Sequence, residues 1–238
     1  QKITQQEAHI ASDAQQRVQM HPILGRLVEQ IAIEARGSEF VDQKSGVSAR
    51  LTISALENLT SAAERRCLRA RTASSYCRIS DLWGVIPAIT GKIELVYEGE
   101  QEGPAIVAQN LIGKAIRTQF VEYFPNPEDL RKNSKENPYE VVIRWFGAGN
   151  KLDMLLDLSD SDYAASLKKV PGLEAVVTKY QPEAQGSDRL FLLEFVLHGL
   201  AEFSLIGKTR LEKGLIFQDL MSGLLSGGFG QDGDDDDE

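Results

Sequence analysis

The chain has 238 residues, 42% of them hydrophobic and 26% charged, an ordinary composition for a globular protein of one large or two small domains. No apolar run approaches the ~18 residues that a membrane span needs, so no span is expected. The formal charge is −9, and removing the six acids among residues 232–238 takes it to −3; the rest of the chain then has no basic excess, which argues against nucleic acid as a partner. The only cysteines are Cys67 and Cys77. They have no metal-ligand spacing and form no disulfide framework, which suits a reducing cytoplasm. No signal peptide is apparent, and a first residue Gln1 rather than Met suggests a piece of a longer polypeptide.

Helical signals dominate in chain order. Thr4 and Glu7 make a capping-box pattern before a helix with Ile10, Ala14 and Val18 at four-residue spacing. Pro22 suits the first turn of a second helix, where Leu24, Leu27, Val28, Ile31 and Ala35 make one apolar stripe. A polar loop from Gly37 to Gly46 follows. A third helix is expected from about Ser48 to Arg71, burying Ile53, Leu56, Leu59, Ala63 and Cys67. Arg50 falls in or next to its first turn, where the helix dipole mildly disfavours a cation. Either Arg50 is a chance surface arginine, or something anionic docks there, since a helix N-terminus and a guanidinium are each phosphate-binding devices. At the other end, Arg65, Arg66, Arg69 and Arg71 cluster where the dipole favours cations, and a structural role is expected for them.

In "ISDLWGVIPAITGKIELV", residues 79–96, Ser80 is the expected cap and Pro87 should kink or shorten the helix. "YEGEQEG", residues 97–103, reads as an acidic turn. Glu98, Glu100 and Glu102 could hold a cation, but solvated acids before the helix starting at Pro104 are the simpler expectation. In that helix Ile112, Ile116, Phe120 and Phe124 recur every four residues. "PNPEDLRKNSKENP", residues 125–138, with three prolines, is the best linker. The period of "YEVVIRWF" and "LDMLLDL" does not decide between strand and helix. Helices are expected over about 161–169, 188–206 and 210–225.

Familiar chemistry is excluded in turn. "SLIGKTR", residues 204–210, ends like a phosphate loop but has Glu202 where the first glycine belongs, and it follows a helical pattern. "GAGNK", residues 147–151, reads as a turn. His9, His21 and His198 have no partner at zinc-ligand spacing, and His198 reads as a satisfied core or interface residue. "LSDSDY", residues 158–163, lacks the glycine of a calcium loop, and Asp160 reads as a helix cap. No nucleophile, base and orienting group stand out together.

The runs "FVDQKSGVSARLTISALENLTSAAERRCLRAR" and "ISDLWGVIPAITGKIELVYEGEQEG" resemble the C-terminal part of AAA+ ATPases of the magnesium-chelatase and MoxR-like group. In that group a helical lid follows the nucleotide-binding core, and its third helix begins with a Ser-Pro-Arg-like stretch carrying the sensor-2 arginine. Here Ser48, Ala49 and Arg50 match, with Ala49 where proline is usual. The resemblance implies a mainly α fold: a lid-like helical bundle over 1–103 and a second mostly helical domain over 104–225; the glycines and acids of residues 226–238 read by composition as a disordered acidic tail. It implies that Arg50 reaches the γ-phosphate of ATP, with Gly46 and Ser48 in a nucleotide-proximal loop. ATP and Mg²⁺ would be held by the parent chain's core, because this chain lacks the phosphate-loop and Mg²⁺-binding motifs and should be inactive alone. The implied partners are its own N-terminal ATPase core, a homo-oligomeric ring and a protein client or partner subunit. The alternative is a non-enzymatic helical interaction module in which Arg50 has no nucleotide role.

Overall fold

The computed structural model describes residue 8 and residues 12–132, 137–211 and 213–222. Thr4, Glu7, Ile10 and the acidic tail lie outside the described residues. The fold is mainly helical, with short strands. The first helix, α1 (Ser12–Arg17), leads into a two-residue strand β1 (Val18–Gln19).

Helix α2 (Pro22–Arg36) starts where expected. Pro22 sits in the first turn, and the His21 ring nitrogen Nδ1 accepts from the Ile23 amide. Its apolar stripe is buried throughout. The loop after Gly37 then runs back along residues 92–96, with a bridge between Val41 and Leu95 and a bond from the Asp42 amide to the Glu94 carbonyl (2.8 Å). Helix α3 (Arg50–Ala70) follows; Leu51, Ala55, Leu59 and Ala63 have no exposed surface. Arg71 ends it in the left-handed region at φ 53°. β2 (Ser75–Tyr76) pairs in parallel with β1.

The segment after β2 departs from expectation. Residues Ile79–Val85 form a 3₁₀ helix, η1, and α4 (Ile86–Thr90) is a new helix with Pro87 in its first turn. Pro87 therefore starts a helix rather than kinking one, because the first turn needs no amide donor from it. Arg78, not Ser80, holds the position before η1, and its amide donates to Asp81 (2.7 Å). The acidic stretch is helical too, as α5 (Tyr97–Glu102). Glu98, Glu100 and Glu102 are exposed there.

Helix α6 (Pro104–Tyr123) is the central pillar, buried along Ile112, Ile116 and Phe120. α7 (Pro127–Lys132) lies inside the proline-rich stretch. α8 (Glu140–Gly147) resolves the first ambiguous segment as helix: Asn137 accepts from the Tyr139 amide (3.0 Å), and Val142 and Phe146, four apart, are buried. β3 (Leu152–Leu155) resolves the second as strand, alternating buried and exposed. α9 (Asp160–Lys168), α10 (Leu173–Tyr180) and α11 (Gly186–Glu202) follow. Ser159 caps α9 through the Asp162 amide (3.1 Å), leaving Asp160 for another partner.

The expected helix over 210–225 is corrected. β4 (Gly207–Leu211) and β5 (Gly214–Gln218) form an antiparallel hairpin, and β5 is the centre of a three-stranded sheet in the order β3-β5-β4. Leu211 and Leu215 imitate helical spacing, but Leu215 and Phe217 point to the core with strand alternation. A Cβ on Gly214 would sit 2.4 Å from the Met154 carbonyl oxygen, so the close strand approach needs glycine.

One apolar core runs from Ile23 to Phe217, across both Gly103 and the proline-rich stretch. α6 and α11 approach closely within it: a Cβ on Gly199 would meet the Phe120 ring at 2.1 Å. Phe124, Tyr139, Phe195 and Phe203 surround that ring, and Phe120 has no exposed surface. Alanine is intrinsically better than glycine inside a helix by ~1 kcal/mol, but overpacking costs about 1–3 kcal/mol. The clash should win: Gly199→Ala is expected to destabilise the chain by about 1–2 kcal/mol in urea unfolding.

Candidate functional site

Two places hold the residues singled out by sequence. The first is the start of α3. Ala49 precedes the helix in αR geometry and offers no capping side chain, but the Ser48 hydroxyl accepts from the Arg50 amide (3.3 Å). Arg50 is exposed, and no carboxylate forms an ion pair with it among the described residues. Gly46 and Ser48 line a cleft of about 410 Å³ together with Lys92 and Glu94; Arg50 is not part of that lining. Gly46 has φ 72°, which favours glycine in the turn. The Ser45 hydroxyl bonds to Asp42 (2.8 Å) and to Glu94. Asp42 is held below the usual carboxylate range, first by the Lys44 amide and then by the Ser45 hydroxyl. The cleft thus contains as much negative as positive charge. Of the three residues, Gly46 and Ser48 share a wall and Arg50 stands outside it.

The second place is a buried charged cluster at the far end of α3. The arginine cluster divides. Arg69 pairs with Asp157 at the surface (2.7 Å), Arg71 ends the helix, and Arg65 is exposed. Arg66 is buried and grips Asp81 with both terminal nitrogens (2.7 and 3.0 Å), donating also to the Tyr76 carbonyl (2.7 Å). Arg78, only 1% exposed, donates to Asp160 (2.8 Å) and the Leu158 carbonyl (2.9 Å) and lies 4.1 Å over the Tyr163 ring. Asp160 is therefore an ion-pair partner rather than the cap of α9. Glu194, wholly buried on α11, accepts from the amides of Ile79 (2.7 Å) and Ser80 (3.2 Å) and from the Tyr163 hydroxyl (2.8 Å).

His198 lies one turn further along α11, its Nε2 3.8 Å from Glu194 and its ring edge-on to Phe217. It is a core residue as expected, but neither ring nitrogen has a hydrogen-bond partner within reach, so it is not satisfied. Arg66 was the readable signal here: it lies seven residues after Leu59 and three after Ala63, on the flank of the buried stripe. Glu194 had no such signal within its apolar helix.

The electrostatics point away from acid–base chemistry. Burial pushes the Tyr163 hydroxyl and the Cys77 thiol up, so both stay protonated. Burial alone would raise Glu194, but His198, the Tyr163 hydroxyl and Arg78 together hold it below the usual carboxylate range. Burial, aided by Lys208, lowers His198 against the pull of Glu194. Each group is driven further into its neutral-pH charge state, whereas a general acid or base works best near the operating pH. The cluster is a clamp joining η1 to α3, α9 and α11. Among the described residues no group of three or more His, Cys, Asp or Glu is placed to hold a metal, and no helix is long and apolar enough to cross a membrane. No family model, no curated protein and no solved structure matches the chain.

Two measurements test the clamp. Asp81→Ala leaves the Arg66 guanidinium buried and unpaired, which should cost about 3–5 kcal/mol in urea unfolding. The pH dependence should follow from His198. Its folded pKa lies below the ordinary value of about 6.5, so above that pH neither state binds the proton. On acidification the unfolded chain takes up a proton that the folded chain refuses, and stability falls as pH drops from about 6.5 through the folded pKa. The depressed Glu194 adds a loss of the same sign at lower pH, and His21, also lowered by burial, adds one in the histidine range. Thermal midpoints measured between about pH 7 and pH 5 should fall less steeply for His198→Gln than for the parent sequence.

Proposed function

We propose that this chain is the C-terminal part of a AAA+ ATPase of the magnesium-chelatase and MoxR-like group, a lid and partner-binding region that couples ATP binding and hydrolysis to remodelling of a protein client. The observation that carries this reading is Arg50: exposed, without an ion-pair partner among the described residues, and mounted on the first turn of a 21-residue helix that Leu51 and Ala55 anchor in the core. A guanidinium on a rigid element can be aimed, and here it does no visible work for the fold. The Ser48-Ala49-Arg50 stretch and the mainly helical architecture support the same reading.

In this reading ATP and Mg²⁺ belong to a preceding core, and bound ATP supplies a transferable phosphoryl group whose oxygens gather charge as it leaves. Within this chain Gly207-Lys208-Thr209 is a strand paired to β5, so its backbone is committed to the sheet rather than to phosphate. Arg50 is the residue that fits a phosphate, through its planar fork of donors. It would serve its own core or that of a neighbouring subunit in a homo-oligomeric ring. α3 would carry the lid's position along with it. The compartment implied is the cytoplasm.

The test uses the longer polypeptide that carries the core. Arg50→Ala should lower its ATP turnover ~10²-fold or more, and Arg50→Lys should rescue poorly because an ammonium lacks the planar fork. The same change in the chain described here should move stability by less than about 0.5 kcal/mol, and this chain alone should release no phosphate from ATP above a buffer control. Unchanged turnover in the longer polypeptide would refute the sensor role. A second reading, a helical interaction module with no nucleotide role, draws on a separate observation: the half-buried Lys208 and the exposed Arg210 both lie over the Trp83 ring.

A further inference from the structure

Trp83 lies half-buried on η1 between two depressions. One, of about 150 Å³, is lined by Arg65, Arg66 and Arg210; the other, of about 340 Å³, by Lys114, Arg117 and Lys208. The Lys208 ammonium is 5.5 Å and the Arg210 guanidinium 5.1 Å from the Trp83 ring centre, within cation–π range.

The acids in the two depressions are already engaged. Asp81 is held by Arg66 and Asp157 by Arg69, while Glu202 pairs with Lys208. Arg117 pairs with Glu128. Arg65, Lys114 and Arg210 have no carboxylate partner among the described residues. The buried Arg66 also keeps an unpartnered Nε, although its side chain is only 5% exposed and lines the smaller depression. The surface around Trp83 is therefore a net cationic groove with an aromatic floor, on a chain whose formal charge is negative.

The sequence contains one strongly complementary segment, Asp232 and Asp234–Glu238. The last strand before it ends beside this groove. β5 ends at Gln218, in register with Gly207 and next to Lys208, and the Gln218 side chain bonds to Thr209 (3.1 Å). The chain thus leaves the sheet at the groove's edge. Sixteen residues from Gln218 to Asp234 can span at most ~53 Å. A tether of that length keeps a segment at roughly millimolar effective concentration. Exposed ion pairs are individually weak, but at that concentration a free-peptide Kd of about 0.1 mM suffices to fill most of the groove.

We propose that the chain's own acidic run, residues 232–238, occupies the Trp83 groove and acts as a built-in competitor for any acidic partner there. This inference is independent of the ATPase reading. The test uses a Trp145→Phe background, which leaves Trp83 as the sole indole reporter. Three chains are compared: full length, ended at Ser226, and full length with Asp232 and Asp234–Glu238 changed to Asn or Gln. Both altered tails should leave Trp83 about twofold more open to acrylamide quenching, as expected for loss of a cover at partial occupancy.

A synthetic peptide of residues 230–238 should bind the shortened chain saturably and protect Trp83. It should bind more weakly as salt rises from about 0.05 to about 0.5 M, and bind the full-length chain about tenfold more weakly than the shortened one. Arg65→Glu with Arg210→Glu should abolish that binding; the charge-neutral tail provides the check if that double variant misfolds. Equal Trp83 quenching in all three chains would overturn the proposal. So would tail-dependent protection that appears only with dimerisation, which would assign the groove to a second copy. Binding of a single-stranded oligonucleotide but not of the peptide would replace it with a nucleic-acid surface.

Discussion

The carboxylate of Glu194 is the constraint on which the rest of the arrangement hangs. A 3₁₀ helix begins with backbone amides that have no partner inside it, and in η1 the amides of Ile79 and Ser80 face the interior. Water cannot serve them there. Glu194, 115 residues away in sequence, accepts from the first at 2.7 Å and takes the Tyr163 hydroxyl as a further donor. An isolated buried carboxylate would neutralise itself. Here the donors and the neighbouring imidazole outweigh burial, and the charge persists. The same bond that satisfies η1 fixes α9 and α11 relative to it.

With η1 fixed, the two arginine contacts follow. The Arg78 amide and the Arg66 guanidinium both converge on Asp81, so one carboxylate begins η1 and ends the buried part of α3. Arg78 reaches the other way to Asp160 and lies over Tyr163, where cation–π attraction partly compensates for the unbonded Nε and Nη1. Apolar residues of similar volume could stabilise such an interior equally well. They would not by themselves select one position for a seven-residue segment whose apolar stripe is only Ile79, Leu82 and Val85. The charged pairs do so through direction, because a bidentate grip admits one register.

That division also explains what was legible in the sequence. α2, α3 and α6 carry apolar stripes long enough to declare their period, and Pro22 and Pro104 mark two of their starts; α11 is instead buried on all sides from Phe191 to Leu200. The hairpin was hidden because Leu211 and Leu215 share helical spacing, while the fact that excludes a helix, the approach of Gly214 to the Met154 carbonyl, joins residues 60 apart. In η1 the only local signal is the three-residue spacing of Ile79, Leu82 and Val85, while the Glu194 carboxylate that accepts its first amides lies 115 residues away. Asp160 looked like a cap because caps are local; the partner that claims it, Arg78, is not. At the candidate site Arg50 was legible as an anomaly of charge at a helix start. Its separation from the cleft lined by Gly46 and Ser48 depended on the return of residues 91–94, which no local pattern shows.

Helix α3 sorts its cations by solvation. Arg66 sits in the interior, where an unpaired guanidinium is not tolerated, and it has Asp81 at 2.7 Å. Arg69, at the surface, has Asp157 but gains little, since exposed pairs contribute about 0–1 kcal/mol. Among the described residues Arg50 and Arg65 have no acid partner, and at exposed positions the fold does not require one. Arg50 also opposes the helix dipole, a penalty of only about 0.3–1 kcal/mol at an exposed terminus, too small for folding to select against it. What holds this fold together therefore says nothing about why Arg50 and Arg65 are cations. Their charge faces outward, where the proposed phosphate role of Arg50 and the proposed acidic-run role of the groove at Arg65 would each take it up.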